Sequence, residues 1–188
     1  MLKRLFSKQS SLPIRVDLHT DSGMLGIWNM ETFEHINDYD SWDKELCEDK
    51  DIIGHIESGT FVPIDLGDGV FSVDVRIGTP EDMSDREREY LLVPSKPYLL
   101  KSSGQVAVSG IEFISGEKSS KYTSFHLDSG DYSVFLNLID WNQEPGALDE
   151  SGKPTKNSLP DLIIFISKQE EKEYRKEIQT FDKNDSLR

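Results

Sequence analysis

Between residues 14 and 167, apolar and polar residues alternate in short runs separated by turn-forming residues. The run "IRVDLHT" places Ile14, Val16 and Leu18 on one side and polar residues on the other. Alternation with period two is typical of a half-buried β-strand. Comparable runs occupy residues 24–30, 60–66, 70–78, 90–95, 97–102, 105–115, 122–128, 131–141 and 161–167. The pattern therefore predicts a chain that is built mainly from β-strands.

Turn chemistry between these runs predicts two β-hairpins. The first joins residues 60–66 to residues 70–78 through the Gly-Asp-Gly turn at 67–69. The second covers residues 124–139, with the Ser-Gly pair at 129–130 as its tip. Both faces of the second strand of that hairpin carry apolar residues, which is typical of a central strand.

Helical patterns are fewer. A short helix is predicted over residues 41–52 with Ser41 as its cap, and one or two helical turns are predicted after Thr79, which Pro80 follows. A longer helix is predicted over residues 168–181, where apolar residues recur with helical spacing. That apolar stripe consists of Tyr174, Ile178 and Phe181.

Together these elements predict an antiparallel β-sandwich or jelly-roll-like domain with a C-terminal α-helix. An α+β fold is the alternative, because residues 29–58 fit no single pattern. The predicted organisation is an N-terminal arm over 1–13, a single domain over 14–182 that includes the helix, and a frayed tail over 183–188.

The net charge narrows the choice of partners. The chain has 21 Lys and Arg residues against 35 Asp and Glu residues, a formal net charge of −14. Such a charge repels phosphate backbones and anionic membranes, so nucleic acid and membrane surfaces are not expected partners. It favours a basic protein partner and speeds its encounter at low salt.

The single cysteine, Cys47, excludes an intrachain disulfide. No apolar run reaches the roughly 20 residues that cross a bilayer. The N-terminal residues lack the apolar stretch of a secretory signal, so a cytoplasmic location is expected.

One short motif raises the question of metal chemistry. The stretch "VDLHTDSG" (16–23) resembles the Asp-Leu-His-x-His motif that opens the polymerase-and-histidinol-phosphatase metallohydrolases. That family would imply a (β/α) barrel with several metal ions and further histidines. This chain has 4 histidines, none in an H-x-H spacing. The motif is therefore interpreted as the solvent side of a strand, and no metal site, cofactor or catalytic residue is predicted.

The best candidate for a functional surface is the acidic segment 31–51, which also carries the aromatic residues Tyr39 and Trp42. Its predicted partner-binding residues are Glu34, Asp38, Tyr39, Asp40, Trp42, Asp43 and Glu45. Acidic groups around aromatic anchors suit a basic binding partner. The sequence therefore favours a non-enzymatic protein-interaction module, such as an inhibitor or an immunity-type protein.

Two alternatives remain open at this point. A small-ligand or carbohydrate-binding β-sandwich would use Trp28, Trp141 and Tyr132 as stacking platforms. A hydrolase with an unrecognised site is the other. The oligomeric state is not predicted.

Overall fold

The computed structural model describes residues 11–117, 119–168 and 170–181. The predicted tail over 183–188 and most of the predicted N-terminal arm lie outside the described residues. Within them, no helix has the length and apolar character that crossing a membrane requires.

The described chain is mainly β, as predicted, and its strands form one large mixed sheet. The strands are β1 (Ile14–Thr20), β2 (Met24–Asn29), β3 (Phe61–Asp65), β4 (Gly69–Ile77), β5 (Leu91–Pro94), β6 (Tyr98–Gly110), β7 (Thr123–Ile139) and β8 (Leu162–Ser167). Their order is β1-β4-β8-β7-β6-β2-β3, and β5 pairs with β7 outside this path. The prediction of a purely antiparallel fold is wrong, because β8 pairs in parallel with β4. A sandwich or jelly roll is not confirmed.

The predicted hairpin through residues 67–69 does not form. β3 pairs with β2 and β4 pairs with β1. Neither the β3–β4 turn at 67–69 nor the β1–β2 turn at 21–23 therefore joins two strands that pair with each other. The carbonyl oxygen of Gly23 instead accepts hydrogen bonds from the backbone N–H groups of Leu66 (3.1 Å) and Gly67 (2.8 Å). Both glycines have positive φ, which makes this close approach possible. The two turns therefore form one corner in a long two-stranded ribbon.

The second predicted hairpin is also replaced by a longer element. β7 runs straight through residues 129–130 and pairs with β6 on both sides of a register shift between Ser102 and Gly104. The expectation of a central strand is met, since β8 pairs along its C-terminal half. Leu136 lies in the main core and Phe135 packs against a smaller second cluster, so both faces are covered.

Residues 29–58, which fit no single pattern in the sequence, are largely helical. They contain a short 3-10 helix (Met30–Phe33), α1 (Tyr39–Leu46) and α2 (Asp49–Ser58). A third helix, α3 (Asp85–Glu89), follows a 3-10 turn capped by Thr79, in agreement with the turns predicted there. Two more 3-10 helices span Ile111–Phe113 and Trp141–Gln143.

The predicted C-terminal helix is wrong: the described residues between 168 and 181 form an extended strap. The backbone of this strap bonds to other elements. The N–H of Arg175 donates to the carbonyl of Pro97 and the N–H of Phe181 to that of Asp65, both at 2.8 Å. Phe181 is buried and Ile178 packs against the core. These two apolar residues therefore contact the core although the backbone that carries them is not helical.

Candidate functional site

A surface groove lies where the start of α1 faces the β1–β2 turn and the end of β6. Its volume is about 460 Å³. The lining residues are Ser22, Ile36, Asn37, Asp38, Tyr39, Trp42, Glu112, Ile114 and Ser115. Ile36 and Ile114 are buried and supply an apolar floor. The groove thus combines an apolar base with an aromatic and acidic rim.

Local hydrogen bonds hold the start of α1 in place. Asp38 is the N-cap, one turn earlier than the predicted cap, and its Oδ1 accepts from the backbone N–H (2.8 Å) and the hydroxyl (2.6 Å) of Ser41. The backbone N–H of Asp38 donates in return to Ser41 Oγ (3.2 Å), which completes a capping box. The hydrogen bonds from Ser41 lower the pKa of Asp38, the hydroxyl bond contributing most. Asp38 therefore keeps its negative charge at the groove.

Tyr39 and Trp42 form an aromatic pair on this rim. Their rings stack with centroids 6.1 Å apart and an interplanar angle of 26°. Trp42 is fixed from below, because its Nε1–H donates to the carbonyl of Ile111 at 2.9 Å. Tyr39 is 71% exposed, so most of its ring faces solvent. The pair therefore presents a supported ring to solvent.

Of the other predicted acids, Asp40 and Asp43 are close to this ring, and Glu34 does not line the groove. Asp40 is exposed beside Tyr39, and the charge of Asp43 is the main cause of a raised pKa for the Tyr39 hydroxyl. A hydrogen bond from the Tyr39 hydroxyl to Asp43 raises this pKa further. Glu34 is exposed on the loop that precedes α1, where the Gly116 backbone packs so closely that a Cβ there would lie 1.9 Å from the Glu34 carbonyl oxygen.

Glu45 occupies a different environment from the other predicted site residues. Its two carboxylate oxygens contact the Nε2 atoms of His35 (3.1 Å) and His55 (2.8 Å). Burial raises the pKa of Glu45, but the hydrogen bonds with the two histidines outweigh it and lower the pKa overall. The structure therefore places Glu45 in a partly exposed cluster that joins α1 to α2 and does not line the groove.

Sequence reasoning missed the half of the groove that lies outside the acidic segment. Ser22, Glu112, Ile114 and Ser115 come from other elements and carry no local signal that marks them as neighbours of Tyr39. Glu112 also lies close to the motif at 16–23: one ligand atom each of His19, Asp21 and Glu112 lies within 4.8 Å of the others. This is the group of described residues best placed to hold a metal ion.

The aromatic residues of the ligand-binding alternative are not available as platforms. Trp28 is 1% exposed, Tyr132 3% and Trp141 9%. Trp28 and Tyr132 belong to the main core, and Trp141 belongs to the second cluster. The structure therefore contradicts a stacking role for these three rings.

The sequence matches no protein-family model, and no curated protein is significantly similar to it. Among solved structures, a partly similar fold is that of ComJ, inhibitor of the DNA degrading activity of NucA, from Bacillus subtilis. The two share 12% sequence identity with a TM-score of 0.48, over 82% of this chain and 94% of ComJ. At that level the similarity supports no conclusion about the function of this chain.

Proposed function

We propose that this chain is a non-enzymatic protein-interaction module of the inhibitor or immunity type, which binds a basic partner at the groove beside α1. The observation that carries the proposal is the exposed Tyr39 ring, stacked on an anchored Trp42 at the mouth of a groove with an acidic rim. Tyr and Trp are enriched among the residues that dominate binding energy at protein interfaces.

Rigidity supports the role of this surface. The Asp38 cap and the Trp42 hydrogen bond hold the aromatic pair in position before any partner arrives. A preorganised surface loses less conformational entropy on binding, so more of its contact energy appears as affinity.

Charge supports a basic partner. Asp38 is exposed and lines the groove. Asp40 is exposed next to Tyr39, and Asp43 is also close to the Tyr39 ring. In a chain with a net charge of −14, this surface attracts cationic proteins and repels anionic ones. An active-site cleft of a cationic enzyme, such as a nuclease, is one surface that it would complement.

The alternatives have less support. The stacking rings of the carbohydrate-binding alternative are buried. The hydrolase alternative stays untested.

The test is capture of a binding partner by the immobilised protein from a lysate of the source organism, at low and at high salt. We expect a basic protein that is retained at low salt and weakened at high salt, because salt screens charges beyond about 10 Å at 0.1 M. Asp40→Lys, next to Tyr39, should weaken retention clearly at low salt. Glu150→Lys, which makes the same change of charge on an exposed loop residue, should not.

If a partner binds both variants equally well, its interface lies elsewhere on the protein and the proposed groove is not the binding site. A partner that is acidic, or whose retention is insensitive to salt, would contradict the electrostatic part of the proposal. Once the partner is known, its own activity is measured with and without this protein, because an inhibitor must reduce it.

A further inference from the structure

A second polar cluster lies beside the groove, at the end of β1. His19 and Asp21 are two residues apart, and the His19 Nε2 atom lies 3.0 Å from Asp21 Oδ1. Glu112, which follows β6 in sequence, brings a carboxylate oxygen to the same place, so that ligand atoms of all three side chains lie within 4.8 Å of one another. The cluster therefore combines one imidazole nitrogen with two carboxylates.

Glu112 is held in position by groups that are not part of the cluster's ligand set. Its Oε1 accepts from the backbone N–H of Asp21 (2.8 Å) and its Oε2 from the hydroxyl of Thr20 (3.0 Å). Thr20 is fully buried. A Cβ at Gly110 would lie 2.5 Å from Glu112 Oε2, so only glycine leaves room for this carboxylate. Each oxygen can accept further contacts, because a carboxylate oxygen has two lone pairs.

A second His-x-Asp pair in the same sheet provides an internal comparison. His126 Nε2 lies 3.2 Å from Asp128 Oδ1 on β7, with similar exposure of both side chains. The third group there is a cation: Lys168 Nζ lies 3.7 Å from Asp128 Oδ2. The two pairs therefore share spacing and exposure but differ in the charge of the neighbour, and only the first has a third metal-ligand side chain beside it.

We propose that His19, Asp21 and Glu112 bind a divalent transition-metal ion of the Zn²⁺ type. Imidazole and carboxylate are its usual protein ligands besides thiolate, whereas Mg²⁺ and Ca²⁺ prefer sites made of oxygen alone. Two carboxylates balance the charge of the ion. Three protein ligands leave a coordination position open to water or to a ligand atom from another molecule. The metal site shares Glu112 with the groove lining, but metal binding itself does not require a protein partner.

The geometry needs only small adjustments to close around an ion. Zinc bonds to nitrogen and oxygen are about 2.0–2.2 Å long. His19 Nε2 and Asp21 Oδ1, 3.0 Å apart, are already close enough to share an ion, and the remaining adjustment brings these two atoms and a Glu112 oxygen around one point. The side chains of His19 and Asp21 are 48% and 79% exposed and are free to rotate toward the fixed Glu112. The metal therefore takes the place of the hydrogen bond between His19 and Asp21.

The experiment is a titration with Zn²⁺ of tag-free protein that has been treated with EDTA and dialysed. Isothermal calorimetry measures the binding. NMR spectra of the histidine rings locate the ion, because metal binding must shift the His19 resonances. Co²⁺ provides an absorption spectrum that reports its coordination. We expect the His19 ring to respond at one equivalent and the His126 ring to remain unchanged.

Three variants and one matched control test the ligand set. Glu112→Gln, Asp21→Asn and His19→Ala should each weaken binding by about tenfold or more, the scale on which lost metal-site contacts act. His126→Ala, which removes the comparable imidazole on β7, should bind Zn²⁺ like the wild type. Asp21→Asn changes an exposed side chain and keeps the fold even if Glu112→Gln does not.

Zinc binding that is unaffected by Asp21→Asn and Glu112→Gln, or equally reduced by His126→Ala, would overturn this assignment. So would a wild-type protein whose His19 ring does not respond to Zn²⁺ or Co²⁺. Partner-binding assays at the groove are run with EDTA present, so that a failure of the metal site and a failure of the proposed function are seen separately.

Discussion

The acidic residues around α1 and those around α3 differ in what surrounds them. Near α3, the guanidinium of Arg76 donates to Asp74 and to Glu87, each at 2.7 Å. Glu87 is buried, with a side chain only 8% exposed. Arg86 pairs with Glu144 nearby, in a bidentate arrangement. These acids are neutralised where they lie and hold elements together.

Near α1 the balance is reversed. Among the described residues, Asp38, Asp40 and Asp43 form no ion pair with a lysine or arginine side chain, and they surround an exposed aromatic ring. Acidic composition alone therefore does not identify a binding surface. An acidic side chain is available to a partner only where the fold does not already pair it with a lysine or arginine.

The largest effect is expected where the cation is removed. Arg76→Met should lower the free energy of unfolding by about 3 kcal/mol, because it leaves the largely buried carboxylates of Asp74 and Glu87 without their partner. Denaturant unfolding measures this. Arg88→Met is the control: its partner Asp85 is fully exposed, and the loss should stay below about 1 kcal/mol. Equal losses in both would remove the distinction between the two regions.

The next effect concerns binding and not folding. Tyr39→Ala should weaken binding of the captured partner by about 2 kcal/mol, or roughly 30-fold in Kd, as expected for an aromatic anchor. Its unfolding free energy should change by no more than about 0.5 kcal/mol, because the ring is largely exposed. Calorimetry with the partner and thermal unfolding give the two numbers. A large loss of stability with unchanged affinity would show that the ring serves the fold.

A smaller effect separates Glu45 from its neighbours in sequence. Glu45→Gln should lower the free energy of unfolding by about 1 kcal/mol, because it weakens the hydrogen bonds with His35 and His55. Partner affinity should remain within twofold of the wild type, since Glu45 does not line the groove. If affinity falls as it does for Asp40→Lys, the binding surface extends to this cluster.

The smallest effect is a change in pH dependence. Burial raises the pKa of Glu87, but the hydrogen bond from Arg76 and those at Ser84 lower it below the ordinary value of 4.5. A carboxylate with a lowered pKa in the folded state stabilises the fold above that ordinary value, and this contribution is lost as the pH falls through the lowered pKa. Glu87→Gln should therefore unfold with a shallower pH dependence below pH 4.5. Glu150→Gln, the same change at an exposed loop residue, is the control.

Local patterns predicted most elements but few of their partners. The β-runs, the turn at 67–69 and the capped helical turn after Thr79 were visible in the sequence, and the start of α1 was predicted three residues too late, at Ser41 instead of Asp38. They depend on alternation, positive φ and capping side chains, which act within a few residues. The acidic and aromatic content of segment 31–51 was visible for the same reason.

Pairing was not visible, because it depends on which surfaces meet across the whole chain. Two predicted hairpins gave way to a corner and to one long strand. The stripe of Tyr174, Ile178 and Phe181 fits a helix, yet the backbone there satisfies its hydrogen bonds with Pro97 and Asp65. Tertiary partners outweigh a short helical pattern, since helix propensity is a weak preference.

The same division applies to the two candidate sites. The sequence by itself determined a mainly-β chain with a strong negative charge, and it placed Asp38, Tyr39, Asp40 and Trp42 in one acidic, aromatic segment. Only the tertiary structure decided that Glu45 pairs with His35 and His55, and that Glu112 lies both in the groove lining and beside His19. Contacts across some 90 residues form only when strands and loops close on a shared core, and no local pattern encodes which residues meet there.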